Sequence, residues 1–351
     1  GQEFEPKLKD SMANLKDELM IADLDLIRPK LILGFSHKTS KLIMVTSLEA
    51  FSSKLDLIEE DLNKPYDHLP LQKATIHNEG SFSFSKDKFF DMVNKSKEMI
   101  KSGDIFQILM ANRFTQKATV DHLSFYRALR SKNPSPYLFL LQYEDYSIAG
   151  SSPEVMVKLT DGHILLRPIA GTRKRGLTLD KDLEMEHELI NDPKERAEHI
   201  MLIDLGRNDV GRVARAGTVE VTDLMRIERY SHVMHIVSDV EAVIDHKYDM
   251  FDLFAATFTA GTMTGAPKIR AMELIAQFEG IKRSFYSGSI GYFGFDGNMD
   301  SAITIRTTYL TDDTVVFQAG AGVVADSKPE LEYLEVHNKL AANIATLNEL
   351  A

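Results

Sequence analysis

The pair Asp161-Gly162 constrains the fold of this chain more than any other local feature. Both residue types accept positive φ, as a two-residue β-hairpin turn requires, and strand-like segments flank them at Glu154–Thr160 and His163–Arg167. The pattern recurs later. Strands at 285–295 and 299–310 turn at Asp296-Gly297-Asn298, and a third at 314–324 follows the turn 311–314. Strands joined so tightly lie antiparallel.

Further strands are read at 31–36, 41–47, 105–114, 137–143 and 146–150. Period-two geometry puts Gln107, Leu109, Ala111 and Arg113 on one face of the 105–114 strand. Ser85 reads as the N-cap of a helix carrying Phe89, Phe90, Val93 and Ile100, with Gly103 just past its end, and helical patterns then occupy about 121–132, 181–206, 249–258, 267–279 and 329–348. No element is assigned between 207 and 248. The helices come as long insertions, not in strict alternation with strands, so the fold class is α+β. No repeat or low-complexity linker divides the chain. The expectation is a catalytic domain at 81–351, with 1–80 a partial N-terminal region packing on the same body.

Composition narrows the chemistry. The net charge of −11 with no basic cluster argues against nucleic acid and anionic membranes as partners. An anionic substrate would need a local Arg, Lys or metal site. The sequence has no Cys, which excludes disulfides and thiolate catalysis. No apolar run reaches the roughly 20 residues that span a bilayer, and a cytoplasmic location is expected. Gly rather than Met at position 1 leaves open whether a longer chain precedes it.

Two Glu-x-x-Glu pairs, Glu195/Glu198 and Glu332/Glu335, each open a helical segment. Spacing of three places both carboxylates of a pair on one helical face. Four converging carboxylates require a cation, and all-oxygen donors suit Mg2+. Helix-start chemistry is the competing account: Asp192-Pro-Lys-Glu195 and Ser327-Lys-Pro-Glu330 each place an acid behind a cap residue. It covers Glu195 and Glu330 but not Glu198, Glu332 or Glu335. Gly261-Thr-Met-Thr-Gly-Ala-Pro-Lys268 fails the spacing of a phosphate loop, and Gly320-Ala-Gly322 lacks a dinucleotide pattern. His232 and His235 lack the further ligands zinc needs. Asp204-Leu-Gly-Arg-Asn-Asp209 reads as a polar stretch after an apolar helix, either a solvated end or a wall of the site.

Taken in order, these segments resemble the chorismate-utilising enzymes, most closely the large subunits of anthranilate synthase. The resemblance rests on Gly103–Gln107, Ser152-Pro-Glu154, Pro168–Thr172, Lys194–His199, Asp204–Asp209, Val233-Met-His235, Gly261–Lys268, Tyr286-Ser-Gly288, Ile305-Arg306, Gly320-Ala-Gly322 and Pro329–Glu335. It implies a large sandwich of antiparallel sheets with helices outside and a central active-site cleft. It implies Mg2+ on Glu198 and Glu335, with Glu195 and Glu332 supporting through water. Tyr286, Arg306, Thr172, Lys339 and the backbone at Gly322 would hold the carboxylates of chorismate, with Gly171 and Gly320 beside them. Glu154 matches the family's general acid, and His235 a residue associated with pyruvate loss.

Two positions separate members of the resembled group. Gln107 stands where water-adding members carry Lys, and Ala170 where aminodeoxychorismate synthases typically carry a nucleophilic Lys. Direct ammonia addition is therefore expected, giving anthranilate and pyruvate in tryptophan biosynthesis. Ammonia would come from a glutamine amidotransferase subunit, component II. The alternatives are 2-amino-2-deoxyisochorismate synthase, aminodeoxychorismate synthase component I, and a silent chorismate-binding scaffold. The Leu-Leu-Glu-Ser segment associated with tryptophan inhibition does not occur, while Asn133-Pro-Ser-Pro-Tyr137 matches the other half of that site.

Overall fold

The computed structural model describes residues 5–230 and 233–351. The chain separates into two compact units, Ile21–Pro70 and the remainder. The smaller unit holds a hairpin, β1 (Leu31–Ser36) and β2 (Lys41–Thr46), followed by α2 (Ser52–Leu62). The stretch up to Met20, with the short helix α1 (Lys9–Met12), belongs to the larger unit. Lys16 N–H donates to Gly280 O at 3.2 Å, and Lys16 O accepts from Lys282 N–H at 2.9 Å. The two units divide near residues 20 and 70.

The larger unit continues with β3 (Thr75–Ile76), β4 (Ser81–Phe82), α3 (Lys86–Lys101), β5 (Gln107–Thr119), α4 (His122–Lys132), β6 (Tyr137–Gln142) and β7 (Ser147–Ser152). Next come β8 (Val155–Thr160), β9 (His163–Leu166), β10 (Ile169–Lys174), α5 (Leu179–Asn191), α6 (Pro193–Gly211), β11 (Glu220–Arg229) and β12 (Val233–Val243). Last are α7 (Met250–Thr257), β13 (Gly265–Ala266), α8 (Lys268–Glu279), β14 (Ser289–Phe293), β15 (Met299–Ile303), β16 (Thr307–Leu310), β17 (Thr314–Val323) and α9 (Pro329–Leu350).

All strand pairs are antiparallel. One sheet runs β13-β5-β17-β16-β7-β6, with β3 and β4 also on β5; the other runs β10-β12-β9-β8-β15-β14, with β11 on β12. Asp161 and Gly162 adopt φ 50° and 80°, the left-handed pair that the β8–β9 hairpin needs. The principal core lies under α3, α4, α8 and α9, where Phe89, Phe125, Phe317, Ile108, Val336 and Leu347 are all buried. A smaller cluster of Leu189, Met234, Ile236 and Met225 seats α5 on β11 and β12.

Five readings of the sequence are corrected. The strand expected at 299–310 is two strands, β15 and β16, which lie in different sheets. The helix expected at 181–206 is also two. Asp192 ends α5 and caps α6 by accepting from Lys194 N–H at 2.9 Å and Glu195 N–H at 3.2 Å. Helix α6 then runs on to Gly211, so Asp204–Asp209 lies inside a helix and not beyond its end. Two stretches left unassigned, Glu220–Arg229 and Val233–Val243, pair antiparallel as β11 and β12: bulges near Val221–Arg226 break the alternation that marks a strand. Ser327 does not cap α9. The helix starts after Lys328 without a side-chain cap, and the Ser327 hydroxyl accepts from Val324 N–H at 3.0 Å.

Candidate active site where strands cross between sheets

Two neighbouring strand connections pass from one sheet to the other. β7 pairs with β16 in the first sheet, and β8 with β15 in the second. Between them the chain bends at Pro153-Glu154 and at Thr304–Arg306, with Arg306 held at φ 51°. The bends are tied together. Ile303 N–H donates to Glu154 O at 3.0 Å, Ser151 N–H to Arg306 O at 3.2 Å, and the Ser152 hydroxyl to Ile303 O at 2.6 Å. Glu154 and Arg306, 152 positions apart in sequence, are brought into electrostatic contact by this crossing.

Burial pushes the Glu154 carboxyl up to about 7. Opposing that rise, the Thr262 hydroxyl donates to Glu154 Oε1 at 2.8 Å, and Lys339 and Arg306 supply positive charge. A small cavity of about 30 Å³ adjoins the acid, lined also by Thr262, Leu205, Asp209 and Ile303. Burial lowers the Arg306 pKa, against the pull of Tyr286, Glu154 and Glu335. Burial also raises the Tyr286 phenol above its usual range.

His235, on β12, faces a bulge in β10. The register between β10 and β12 shifts between Ala170 and Arg173, and Gly171 there adopts φ 66°. This turns Gly171 O and the Thr172 hydroxyl toward the same ring nitrogen, His235 Nδ1, at 2.8 and 3.1 Å. Nδ1 donates to the carbonyl, so Nε2 is left with its lone pair. Burial, with Arg306 and Lys339 adding positive charge nearby, keeps the His235 pKa below the ordinary imidazole value. His232 lies outside the described residues.

The four carboxylates stand at the starts of α6 and α9. Glu195 accepts from Arg173 Nη1 at 3.3 Å, and Arg173 is itself fixed by Glu188 at 3.0 Å and Asp192 at 2.9 Å. Glu198 accepts from Gln107 Nε2 at 3.2 Å. Its carboxyl is held above the usual range by burial, then by the like charges of Glu195 and Glu335. Glu332 is raised by burial and by Glu335. Glu335 is ion-paired to Lys339 Nζ at 2.7 Å, and the same Nζ donates to Gly320 O at 2.9 Å.

Backbone proximity explains the glycines. A Cβ on Gly322 would lie 2.9 Å from Gln107 Nε2, one on Gly320 would meet Leu109 Cδ2 at 2.4 Å, and one on Gly171 would lie 3.1 Å from Glu195 Oε2. Gly320-Ala-Gly322 is part of β17, paired with Met110 and its neighbours on β5. In charge and donor type the four carboxylates fit a hard divalent cation: Glu198 and Glu332 are buried beside like charge, while Glu195 and Glu335 are ion-paired to Arg173 and Lys339. As the side chains stand, no three described His, Asp or Glu are gathered closely enough to hold a metal ion.

Residues 1–345 match the chorismate binding enzyme family. The chain belongs to that family. It is 44% identical over 338 residues to anthranilate synthase component 1 of Aquifex aeolicus, covering 93% of this chain and 68% of that protein. It is 50% identical over 276 residues to the protein of the same name from Neisseria meningitidis serogroup B, covering 79% of this chain and 56% of that one. The fold is that of anthranilate synthase component I from Streptococcus pneumoniae, with TM-score 0.88, 34% identity and coverage of 97% and 78%. A menaquinone-specific isochorismate synthase from Escherichia coli shares the fold at TM-score 0.77 and 20% identity. The chain thus spans between about half and two thirds of the length of these two curated relatives.

Three parts of the site were not legible as such. Thr262 sits in the glycine-rich segment, and only the fold brings its hydroxyl to Glu154. Arg173 orients Glu195 through a β-strand-to-helix contact. Lys268, read at the start of the helix expected at 267–279, forms a largely buried ion pair with Asp209 at 2.6 Å, joining α8 to α6 beside the cavity.

Proposed function

We propose that this chain converts chorismate and ammonia to anthranilate and pyruvate, with Mg2+ as cofactor and a glutamine amidotransferase subunit as the source of ammonia. The observation that carries the reading is Glu154: a buried carboxyl held at about 7, beside two cations, Arg306 and Lys339, that can receive an anionic substrate. Similarity to anthranilate synthase component 1 proteins supports the same activity, a step of tryptophan biosynthesis.

In the proposed reaction Arg306, Tyr286, Lys339 and the backbone near Gly322 orient the substrate carboxylates. Glu198 and Glu335, supported by Glu195 and Glu332, would hold Mg2+, which when bound supplies charge neutralisation for a ring carboxylate. Ammonia forms the new bond at C2 while the C4–oxygen bond breaks, and Glu154 gives its proton to the departing hydroxyl, which leaves as water. Gln107 favours this nucleophile: its amide cannot act as a base for water, and Ala170 cannot attack. His235, with Nδ1 tied to Gly171 O, presents Nε2 to take the C2 proton as the enolpyruvyl ether departs and the ring becomes aromatic.

Incubation of the purified chain with chorismate, MgCl2 and an ammonium salt should generate the fluorescence of anthranilate. Accumulation of a non-aromatic aminated product would assign the shorter reaction, 2-amino-2-deoxyisochorismate synthesis. Binding of chorismate without any turnover would leave a scaffold.

A further inference from the structure

Lys339 is bonded twice, to Glu335 Oε1 at 2.7 Å and to Gly320 O at 2.9 Å. Both it and its partner are partly exposed, at 35% and 45% of their side-chain surfaces, so neither is locked by packing. Glu335 is the carboxylate whose charge reaches both Glu198 and Glu332, and Lys339 is a cation felt by Glu154, His235 and Glu332. One ion pair therefore joins the carboxylate cluster to the acid and imidazole of the cleft. In this arrangement Glu335 is engaged, and the acidic residues are not gathered into a metal-holding group.

We infer that Lys339 is an internal counter-cation which holds Glu335 until exchange, so that binding of Mg2+ and binding of the anionic substrate assist one another. The inference rests on the functional reading above. When the divalent ion takes Glu335, the Lys339 ammonium is freed to turn from a protein carboxylate to a substrate carboxylate. When substrate draws Lys339 away first, Glu335 becomes available to the metal. The i, i+4 spacing on α9 permits the pair to form and part by side-chain rotation alone, with no backbone movement. Coupling of this kind is reciprocal: whatever factor substrate contributes to metal affinity, metal contributes to substrate affinity.

Calorimetric titration of MgCl2 into the purified chain tests this, with and without saturating chorismate in ammonia-free buffer. Chorismate should tighten Mg2+ binding to the wild-type chain by about tenfold, within the usual range of coupling between sites. Lys339→Met should bind Mg2+ about tenfold more tightly without chorismate and gain less than about threefold when it is added. Lys194→Met removes a cation felt by Glu198 and Glu332 but not bonded to Glu335, and should shift Mg2+ affinity far less. In the reverse direction, Glu335→Gln should tighten metal-free chorismate binding, whereas Glu332→Gln should not. Equal Mg2+ affinities for wild-type and Lys339→Met, or an equally large effect of Lys194→Met, would overturn the exchange. Chorismate binding with unchanged Mg2+ affinity would also refute the exchange yet leave the functional reading intact; failure of the wild-type chain to bind chorismate would sink both.

Discussion

Thr262→Val isolates the contribution of one hydrogen bond to the proposed acid. The hydroxyl donates to Glu154 Oε1 at 2.8 Å in a buried setting, and valine keeps the shape while removing the donor. A hydrogen bond to an ionised group is worth about 1.5–3 kcal/mol, against about 0.5–1.5 kcal/mol for a neutral one. The bond therefore favours the carboxylate by roughly 1 kcal/mol, and its loss should raise the Glu154 pKa by about 0.7. The sign follows from the role. The protonated acid is active, its population falls as pH rises through about 7, and a higher pKa extends activity to more alkaline pH. Ammonia titrates over the same range, so the useful quantity is kcat/KM of the variant divided by that of wild type at each pH, in which the nucleophile cancels. From pH 6 to 9 that ratio should climb and then level off about fivefold above its acidic value, the factor equivalent to about 0.7 pKa. A ratio independent of pH would refute the assignment of Glu154 as the titrating acid.

Replacing the acid itself, Glu154→Gln, should lower kcat by about 10²–10⁴-fold with modest change in chorismate affinity; a loss under tenfold would point to another proton donor. Gly322→Ala puts a methyl group 2.9 Å from Gln107 Nε2 and should displace the amide from Glu198, lowering turnover while circular dichroism stays native-like. Asp209→Ala leaves Lys268 buried without its counter-charge and should cost about 3–5 kcal/mol in urea unfolding; a cost below 1 kcal/mol would show that water reaches the lysine. With glutamine as sole nitrogen source the purified chain should make no anthranilate until an amidotransferase subunit is added.

The sequence by itself determined the local structure wherever backbone chemistry is decisive. Asp161-Gly162 admits the left-handed turn, Ser85 caps α3, and the i, i+3 and i, i+4 spacings of α6 and α9 place Glu195 with Glu198 and Glu335 with Lys339. Those features are short-range, so composition and spacing are enough to read them. Only the tertiary structure decided where one continuous strand-like run is divided: β15 and β16 read as a single strand because no Gly or Pro falls within 299–310, yet they pair with different neighbours. The break at Thr304–Arg306, and its counterpart at Pro153-Glu154, are imposed by that pairing and bring the acid to the guanidinium. The partnerships of Thr262 with Glu154, Arg173 with Glu195 and Gln107 with Glu198 are likewise non-local. Burial sets the proton affinity of Glu154, and burial is a property of the packed chain, since no neighbouring residue in the sequence can exclude water from a carboxylate unaided.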